Sequence, residues 1–369
     1  MREITPENAA QYLREIGRVP PGREVQVYAL GGGVSNVVMR VDVEGQPPLV
    51  LKQSRERLRT EMLWLSRLER IWTERAALEL LGTILPRGTV PEIVFSDEDN
   101  FLFGMTCAPE GSGVWKEQLL AVQTDPEIAH QAGTILGTIH AETIDHPGLG
   151  GRLGDTVIFD QLRIDPYYRT IARAHPALAP QIDTLIATMA APDARTLVLA
   201  DFSPKNILVH EGGVFLVDFE TAHAGDPAFD LGFFLSHLLL KAFRAAPEEH
   251  LYLSLTQIFW QAYLERTKLH PGSSRIPRAI QHTAACCLAR VDGKSPVDYL
   301  DKPTQKAVRH FAICVLARNG ATRQRAGYLI KQYGIDETKA VPLASRLTSE
   351  VSRWDSLLAL AVQEMRHKS

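Results

Sequence analysis

The sequence predicts an α+β protein with two lobes, a small lobe built on an antiparallel sheet and a larger lobe that is mainly helical. Short runs rich in β-branched and other apolar residues, at 25–30, 37–43 and 49–53, follow one another closely near the N-terminus. Beyond a stretch rich in glycine and proline at 108–113, apolar residues recur at helical spacing through most of the chain. The change of pattern at this stretch indicates a boundary between two structural units.

Composition allows two packed lobes and argues against several classes of protein. The 369 residues are 45% hydrophobic and 22% charged, with a net charge of −3, which is ordinary for a globular protein. No dense Lys/Arg block indicates nucleic acid, and the most apolar run, 231–240, is interrupted by Ser236 and His237 and is too short to span a bilayer. The four cysteines lack metal-ligand spacing, and the N-terminus lacks the apolar core of a signal peptide. We expect a cytoplasmic protein that binds neither nucleic acid nor a membrane.

Local patterns predict the individual elements. Thr5 can cap a first helix, three strands follow, and a charge-rich helical pattern covers 56–81 as one long helix or two in tandem. The next pattern is a hairpin of strands at 93–96 and 101–106. In the second lobe, helical patterns lie at 128–139, 229–243, 251–264, 280–290, 305–318 and 344–365, and a hairpin of strands 207–209 and 214–217 interrupts them. The predicted boundaries are 1–105 for the N-terminal lobe, 106–113 for a hinge and 114–369 for the C-terminal lobe.

Three oxygen-bearing side chains around the second hairpin form the strongest candidate site. Asn206 comes immediately before its first strand, Asp218 comes after its second, and Asp201 lies five residues before Asn206. Mg²⁺ prefers a few carboxylate or amide oxygens together with substrate phosphates, and a further carboxylate can orient an attacking hydroxyl. Each residue alone could be a turn former. Together they indicate phosphoryl transfer.

A glycine-rich turn between the first two strands is a candidate phosphate-binding loop, because its backbone N–H groups can approach a ligand closely. The residues predicted to bind there are Gly31, Gly32, Gly33, Ser35 and Asn36. A turn of this kind alone is more often purely structural. Lys52, which closes the apolar third strand, supports the functional interpretation, since it can contact nucleotide phosphates. A solvent-facing lysine at a strand end is the alternative.

A cleft lysine needs a carboxylate to hold it, and we predict Glu74. Leu78 and Leu81 continue its helical face at i+4 and i+7. The competing carboxylates are Glu61, Glu69 and Glu79, which a solvated helix face would also explain.

These motifs resemble the aminoglycoside phosphotransferase/choline kinase group of small-molecule kinases, which share a bilobal protein-kinase-like fold. The resemblance runs from about residue 25 to about residue 243, and some motifs are similar to methylthioribose-kinase-like branches. It is carried by the 31–36 turn, Lys52, the 201–206 stretch, Asp218-Phe-Glu220 and the stretch 225–231.

The resemblance implies roles for the matching positions. Asp201 becomes the catalytic aspartate, Asn206 and Asp218 the ligands of Mg²⁺, and Lys52 the lysine that binds the phosphates of ATP. The hinge segment 105–108, with Met105 and Cys107, would receive the adenine through its backbone. Lys205, next to Asn206, could neutralise charge on the transferring group.

One position departs from the family pattern. The group usually has histidine two residues before the catalytic aspartate, and this chain has Leu199. A leucine there can brace the loop by packing, at a local cost of about 1 kcal/mol for the lost hydrogen bond. We expect Asp230, at a helix start, to brace the same loop, and Asp226 to be structural.

The acceptor is predicted to be a small hydroxylated molecule, because few residues separate Asp218 from the Gly225-Asp226-Pro227 turn. An amino sugar, a thiosugar, an amino alcohol and a hydroxy-amine all remain open, as do ATP against GTP and a homodimer against other oligomeric states. Arg163, Lys241, Arg290 and Lys294 are candidate acceptor contacts in the helical lobe. The rival functions are a nucleotide-binding pseudokinase that regulates a partner and a protein kinase that acts on a peptide.

Overall fold

The structure is a computed structural model that describes residues 1–31, 36–56, 66–270, 272–318, 323–333, 335 and 353–366. Of the predicted site residues, Gly32, Gly33 and Ser35 lie outside this part of the chain, as does Glu61. The first part of the helix predicted at 344–365 also lies outside it.

A five-stranded antiparallel sheet forms the N-terminal lobe. Its strands are β1 (Val25–Ala29), β2 (Asn36–Val43), β3 (Leu49–Ser54), β4 (Ile93–Asp97) and β5 (Leu102–Thr106). Their order in the sheet is β1-β2-β3-β5-β4. The helices of this lobe are α1 (Pro6–Glu15) and α2 (Arg70–Ile84). All five predicted strands are confirmed.

Side-chain alternation along the strands gives the sheet two different faces. On one face Met39, Val41 and Leu51 pack in a small core with Leu13 of α1. Val50 lies on the opposite face, in the large core that includes α2. Lys52 is two residues after Val50, so the same alternation directs it toward α2.

The pattern predicted at 56–81, one long helix or two in tandem, corresponds to α2 in its second part, while residues 57–65 lie outside the described part of the chain. The helix begins at Arg70, and residues 68 and 69 form a turn. The guanidinium of Arg70 donates from Nη1 to the carbonyls of Ser66 at 3.3 Å and Arg67 at 2.8 Å. Those carbonyls therefore bind a side chain where a longer helix would use them in its backbone ladder.

The second lobe is helical for most of its described length. Its α-helices are α3 (Trp115–Leu120), α4 (Pro126–Glu142), α5 (Val157–Phe159), α6 (Thr170–Ala174), α7 (Ala179–Ala190), α8 (Ala228–Ala245), α9 (Glu249–Thr267), α10 (Arg275–Asp292), α11 (Lys302–Leu316), α12 (Arg323–Gln332) and α13 (Arg353–Arg366). A π-helix, Asp160–Arg169, joins α5 to α6, and short 3₁₀ turns lie at Pro147–Leu149, Gly151–Gly154 and Pro176–Leu178. Within the described residues, no helix is long and apolar enough to cross a membrane.

Two small sheets interrupt the helices. The predicted hairpin is confirmed as β8 (Ile207–His210) and β9 (Gly213–Leu216), and β6 (Gly113–Val114) pairs with β8. A second pair joins β7 (Thr196–Val198) to β10 (His223–Gly225). The strands β6, β7 and β10 were not predicted from the sequence, because strands of two or three residues show no alternation. The β7–β10 pair brings the two ends of segment 199–222 together, since Val198 lies opposite His223.

Candidate active site

The β8–β9 hairpin places Asn206 beside Asp218. Ile207 pairs with Leu216, and the N–H of Val217 donates to the Asn206 carbonyl at 3.0 Å. This bond extends the ladder by one step beyond the strands, so the residues before β8 and after β9 meet at the same end.

The side chain of Asn206 is fixed by Asp201. Its Nδ2 donates to the Asp201 carbonyl oxygen at 3.0 Å and to Asp201 Oδ2 at 2.8 Å. Both hydrogens of the amide are used in this way, which leaves its oxygen as the atom that can bind a cation. The structure thus brings together two of the three oxygen-bearing side chains singled out around this hairpin.

Lys52 joins Asp218 to Glu74. Its Nζ lies 2.8 Å from Asp218 Oδ1 and 2.7 Å from Glu74 Oε2, and the lysine is 4% exposed. Of the four carboxylates considered from the sequence, Glu74 is the one that contacts Lys52 in the described part of the chain. Strand β3 and helix α2 thus position the ammonium group of Lys52 at the end of the β8–β9 hairpin.

The interactions among Lys52, Glu74 and Asp218 favour the charged forms of Lys52 and Asp218. Burial opposes the charge of Lys52, but the carboxylates of Asp218 and Glu74 outweigh it and raise the pKa of Lys52. Burial likewise opposes the charge of Asp218, but Lys52 and Lys205 outweigh it and lower the Asp218 pKa. For Glu74, burial is the stronger effect and raises its pKa to about 7. Asp218 is accordingly the persistent anion of the site.

Two backbone positions in the site adopt a left-handed conformation that is unusual for residues with a side chain. Ala200 has φ of 60° and Asp218 has φ of 71°. Such conformations cost on the order of 1–3 kcal/mol and persist only where the surroundings fix them. Strain therefore adjoins Asp201 and coincides with Asp218.

Asp230, at the start of α8, holds the backbone before Asp201. Its Oδ1 accepts from the N–H of Ala200 and its Oδ2 from the N–H of Leu199, each at 2.7 Å. His140 Nε2 lies 3.3 Å from Asp230 Oδ2. The Leu199 side chain is 2% exposed and packs in the core. The bracing role predicted for Asp230 and the packing expected of Leu199 are thus both present. Asp226 makes an ion pair with Arg278 at 2.7 Å, as a structural residue does.

Arg163 contacts Asp201 directly, a contact that the sequence analysis did not predict. From the π-helix its Nη2 lies 2.8 Å from Asp201 Oδ1, and its Nε donates to the Ala200 carbonyl at 2.6 Å. The sequence expectation for Arg163 was contact with the acceptor. Arg163 lies 38 positions before Asp201, and no periodic pattern in the sequence connects the two residues. The bond could therefore not be predicted from the sequence.

A buried network on the other side of Asp218 was also missed. Glu220 Oε2 accepts from Asn36 Nδ2 at 2.7 Å and from Arg70 Nε at 3.0 Å, and Arg70 is fully buried. This network ties β2 and α2 to the segment after β9. One signal was available, since Arg70 lies at i−4 from Glu74 and so shares its helix face. The predicted contact of Asn36 with phosphate stays a prediction.

The remaining predicted residues surround these groups. Lys205 Nζ lies 3.5 Å from Asp201 Oδ2 and 3.9 Å from Asp218 Oδ2, and the side chain is 47% exposed. Gly31 is exposed at the start of the glycine turn. Met105 pairs with Val50 within the sheet, while Cys107 follows the last paired residue of β5. Burial raises the pKa of the Cys107 thiol.

The donor set fits a cation that arrives with a nucleotide. The carboxylate of Asp218 and the amide oxygen of Asn206 are hard oxygen donors of the type that Mg²⁺ binds together with phosphates. The described residues contain no group of three or more His, Cys, Asp or Glu side chains that could hold a metal. A partial, two-residue set of this kind suits Mg²⁺ that shares its coordination with a substrate.

Comparison with known families shows where the chain belongs. The model of the phosphotransferase enzyme family, APH, matches residues 26–267, more than half of the chain. The chain is therefore a member of this family, and the resemblance inferred from its motifs is confirmed. A comparison with curated proteins found no significant match.

Solved structures share the fold at low sequence identity. The macrolide 2′-phosphotransferase of Brachybacterium faecium is 20% identical with a TM-score of 0.51, and the alignment covers 88% of this chain and 98% of that one. A choline kinase of Cryptosporidium parvum is 12% identical with a TM-score of 0.52, covering 94% and 100%. An amicoumacin kinase is 15% identical with a TM-score of 0.53, covering 85% and 96%. These likenesses confirm the predicted bilobal, protein-kinase-like α+β fold.

Proposed function

We propose that this protein is an ATP- and Mg²⁺-dependent kinase that transfers the γ-phosphate to a hydroxyl group of a small molecule. The observation that carries the proposal is the convergence of Asp201, Asn206, Asp218 and Lys52 on one end of the β8–β9 hairpin. Membership of the phosphotransferase family supports it. An amicoumacin kinase that shares the fold was solved in complex with AMP-PNP and Ca²⁺.

On this proposal the N-terminal lobe, 1–105, binds the nucleotide. Lys52 contacts the phosphates, and Glu74 holds its ammonium group in place. The adenine binds to the backbone near Met105 and Cys107. Cys107 lies in the proposed hinge, 106–113, and Met105 lies immediately before it. The turn of Gly31, Gly32, Gly33, Ser35 and Asn36 covers the phosphates. Asn206 and Asp218 would hold Mg²⁺, which neutralises phosphate charge and orients the triphosphate when bound.

Asp201 orients the acceptor hydroxyl and accepts its proton as the phosphoryl group is transferred. Lys205 lies within 4 Å of both carboxylates and stabilises negative charge on the transferring group. The C-terminal lobe, 114–369, provides the catalytic residues and the binding site for the acceptor. Positioning and charge neutralisation account for the whole mechanism, and no covalent enzyme intermediate is needed.

The short path after Asp218 favours a small acceptor over a peptide. The segment from Asp218 reaches β10 at His223, and Thr221 Oγ1 donates to the Leu199 carbonyl at 3.1 Å on the way. These few buried residues leave no extended segment on which a peptide could dock.

Acceptor-dependent release of ADP tests the proposal. We expect ADP release from ATP and Mg²⁺ in the presence of a suitable hydroxylated acceptor, and a fall of roughly 10²-fold or more in Asp201→Asn. Asp160→Asn, which changes a half-buried aspartate paired with Arg169, is the matched control. Normal turnover in Asp201→Asn would refute the assignment. Tight binding of ATP without any transfer would favour the nucleotide-binding regulatory protein.

A further inference from the structure

One face of α8 runs from the candidate active site into the helical lobe. Phe233, His237 and Lys241 are spaced at i, i+4 and i+8, so they lie along the same side of the helix. The rings of Phe233 and His237 are 5.0 Å apart, and Lys241 Nζ donates to the His237 carbonyl at 3.1 Å. We call this row the α8 face.

Lys241 is a buried amine that has no carboxylate partner in the part of the chain that the structure describes. It is 1% exposed, and besides its own helix carbonyl its Nζ lies 5.6 Å from the centre of the Tyr299 ring. Among the described residues no carboxylate oxygen lies within 4 Å of this nitrogen. Burial, and then the positive charges of Lys116, Arg290 and Arg244, lower its pKa to about 7. A buried ammonium group in these surroundings is a binding group for an anion.

Three more polar atoms beside Lys241 are buried and have no hydrogen-bond partner in the described part of the chain. They are Nε2 of His237, Nε of Arg290 and the hydroxyl of Tyr299. Arg290 is held in place from its other end, since its Nη1 donates to the Ser295 carbonyl at 2.6 Å and to the Tyr167 hydroxyl at 3.4 Å. Buried polar atoms in native proteins nearly always have a partner, which a ligand or an ordered water bound here would supply.

The α8 face is connected to Asp201. The guanidinium of Arg163, which binds Asp201, lies 5.3 Å from the Phe233 ring centre and 5.9 Å from the Tyr167 ring centre. A second connection involves Lys116, whose backbone N–H donates to the carbonyl of Pro204, in the 201–206 loop, at 2.9 Å. The pKa of His237 is lowered first by burial and then by Lys241, Arg290, Lys205 and Lys116. These contacts place the α8 face next to the residues that hold Asp201 and the 201–206 loop.

We propose that the acceptor carries an oxyanion, a carboxylate or a phosphate, in addition to its hydroxyl, and that Lys241 and Arg290 bind this group with His237 and Tyr299. The inference rests on the proposed function, because it places the acceptor hydroxyl at Asp201.

The positive charge around the α8 face favours binding of an acceptor that carries an oxyanion over one that carries an amine. An oxyanion would accept from the Lys241 ammonium, the Arg290 Nε and the Tyr299 hydroxyl, which satisfies three buried groups at once. A cationic acceptor would leave those groups unpaired and would add a like charge beside Lys241, Arg290 and Lys116. Of the acceptors left open by the sequence, those whose only charge is an amine are thereby disfavoured.

Matched acceptor series test the inference. Glycerate and glycerol 3-phosphate are compared with glycerol and 2-amino-1,3-propanediol, and glucuronate and glucose 6-phosphate with glucose and glucosamine. We expect an anionic member to bind and to support ADP release at least about tenfold better than its neutral and cationic partners. The carboxylate and phosphate arms identify which oxyanion is preferred.

The Lys241→Met variant keeps the length of the side chain and removes its amine. We expect the KM for the anionic acceptor to rise at least about tenfold, while the KM for ATP does not change. Lys306→Met, which alters an exposed lysine on α11, should leave both values unchanged. Binding is also measured without ATP, by the rise in Tm with inorganic phosphate and with each acceptor, so the result does not require turnover.

Three outcomes overturn the inference. They are preference for a cationic or neutral member, equal affinity of Lys241→Met and the wild type for the anionic member, and the absence of any anion-dependent rise in Tm that requires Lys241. Each differs from failure of the proposed function, which would appear as loss of Mg²⁺-dependent ATP binding or as transfer that does not need Asp201.

Discussion

Arg163 and Asp201 form a close ion pair, with Nη2 of the arginine 2.8 Å from Oδ1 of the aspartate. The same guanidinium donates from Nε to the carbonyl of Ala200, the residue with φ of 60°. One side chain therefore fixes both the carboxylate and the strained backbone before it. Arg163 and Asp230 together hold the loop around Leu199.

The Arg163→Met variant should lower kcat by roughly 10- to 10²-fold, because a small displacement of Asp201 misaligns the acceptor hydroxyl. The KM for ATP should stay near the wild-type value, since Arg163 does not contact the Lys52–Asp218 pair. Arg163→Lys should recover part of the loss, because an ammonium group can still pair with the carboxylate. Steady-state kinetics measure this split, and an unchanged kcat in Arg163→Met would show that the ion pair does not position Asp201.

Glu74→Gln should raise the KM for ATP by roughly tenfold, because Lys52 loses a charged hydrogen bond that holds it toward the phosphates. The matched control is Glu79→Gln, which changes an exposed carboxylate on the same helix that pairs with Arg75. Both values follow from ATP titrations under saturating acceptor. Equal ATP dependence of the two variants would remove Glu74 from the nucleotide site.

Asp230→Asn should destabilise the protein by about 1–3 kcal/mol, because the amide offers one acceptor oxygen where the carboxylate accepts from two buried N–H groups. Urea unfolding of the variant and the wild type measures the difference. Asp183→Asn, an exposed change on α7, serves as the comparison. A loss in Asp230→Asn no greater than in the comparison would mean that the two hydrogen bonds contribute little.

Lys241 predicts a particular pH dependence of stability. Its pKa falls from 10.5 to about 7 on burial, so between these values the unfolded chain binds more protons than the folded one. The free energy of unfolding should therefore rise with pH across this window, by several kcal/mol at most. The difference between wild type and Lys241→Met, measured from pH 6 to pH 10, isolates this contribution from other groups. A difference that does not vary with pH would show that the amine is not held in a cationic, buried environment.

The sequence predicted those parts of the molecule that depend on local pattern. All five strands of the N-terminal sheet follow from alternation or apolar runs, and the hairpin around Asn206 and Asp218 follows from two short apolar runs and a glycine turn. The choice of Glu74 for Lys52 came from the helical face it shares with Leu78 and Leu81. These inferences rest on patterns that are local in the sequence.

Contacts between distant elements were not predictable in the same way. The bond of Arg163 to Asp201 depends on a π-helix with an internal proline, whose path no periodicity describes. The Arg70–Glu220 pair joins residues 150 positions apart. The unpartnered atoms around Lys241 appear only when the packing of α8 against α10 is known. A sequence shows which groups are present, while their burial and pairing depend on tertiary structure.

Calorimetric titration of ATP, with Mg²⁺ and then with excess EDTA, tests the central claim most directly. We expect Mg²⁺ to strengthen ATP binding to the wild type at least about tenfold, and this gain to be lost in Asp218→Asn and kept in Asp160→Asn. Wild-type protein that does not bind ATP, or a gain from Mg²⁺ that persists in Asp218→Asn, would contradict the account.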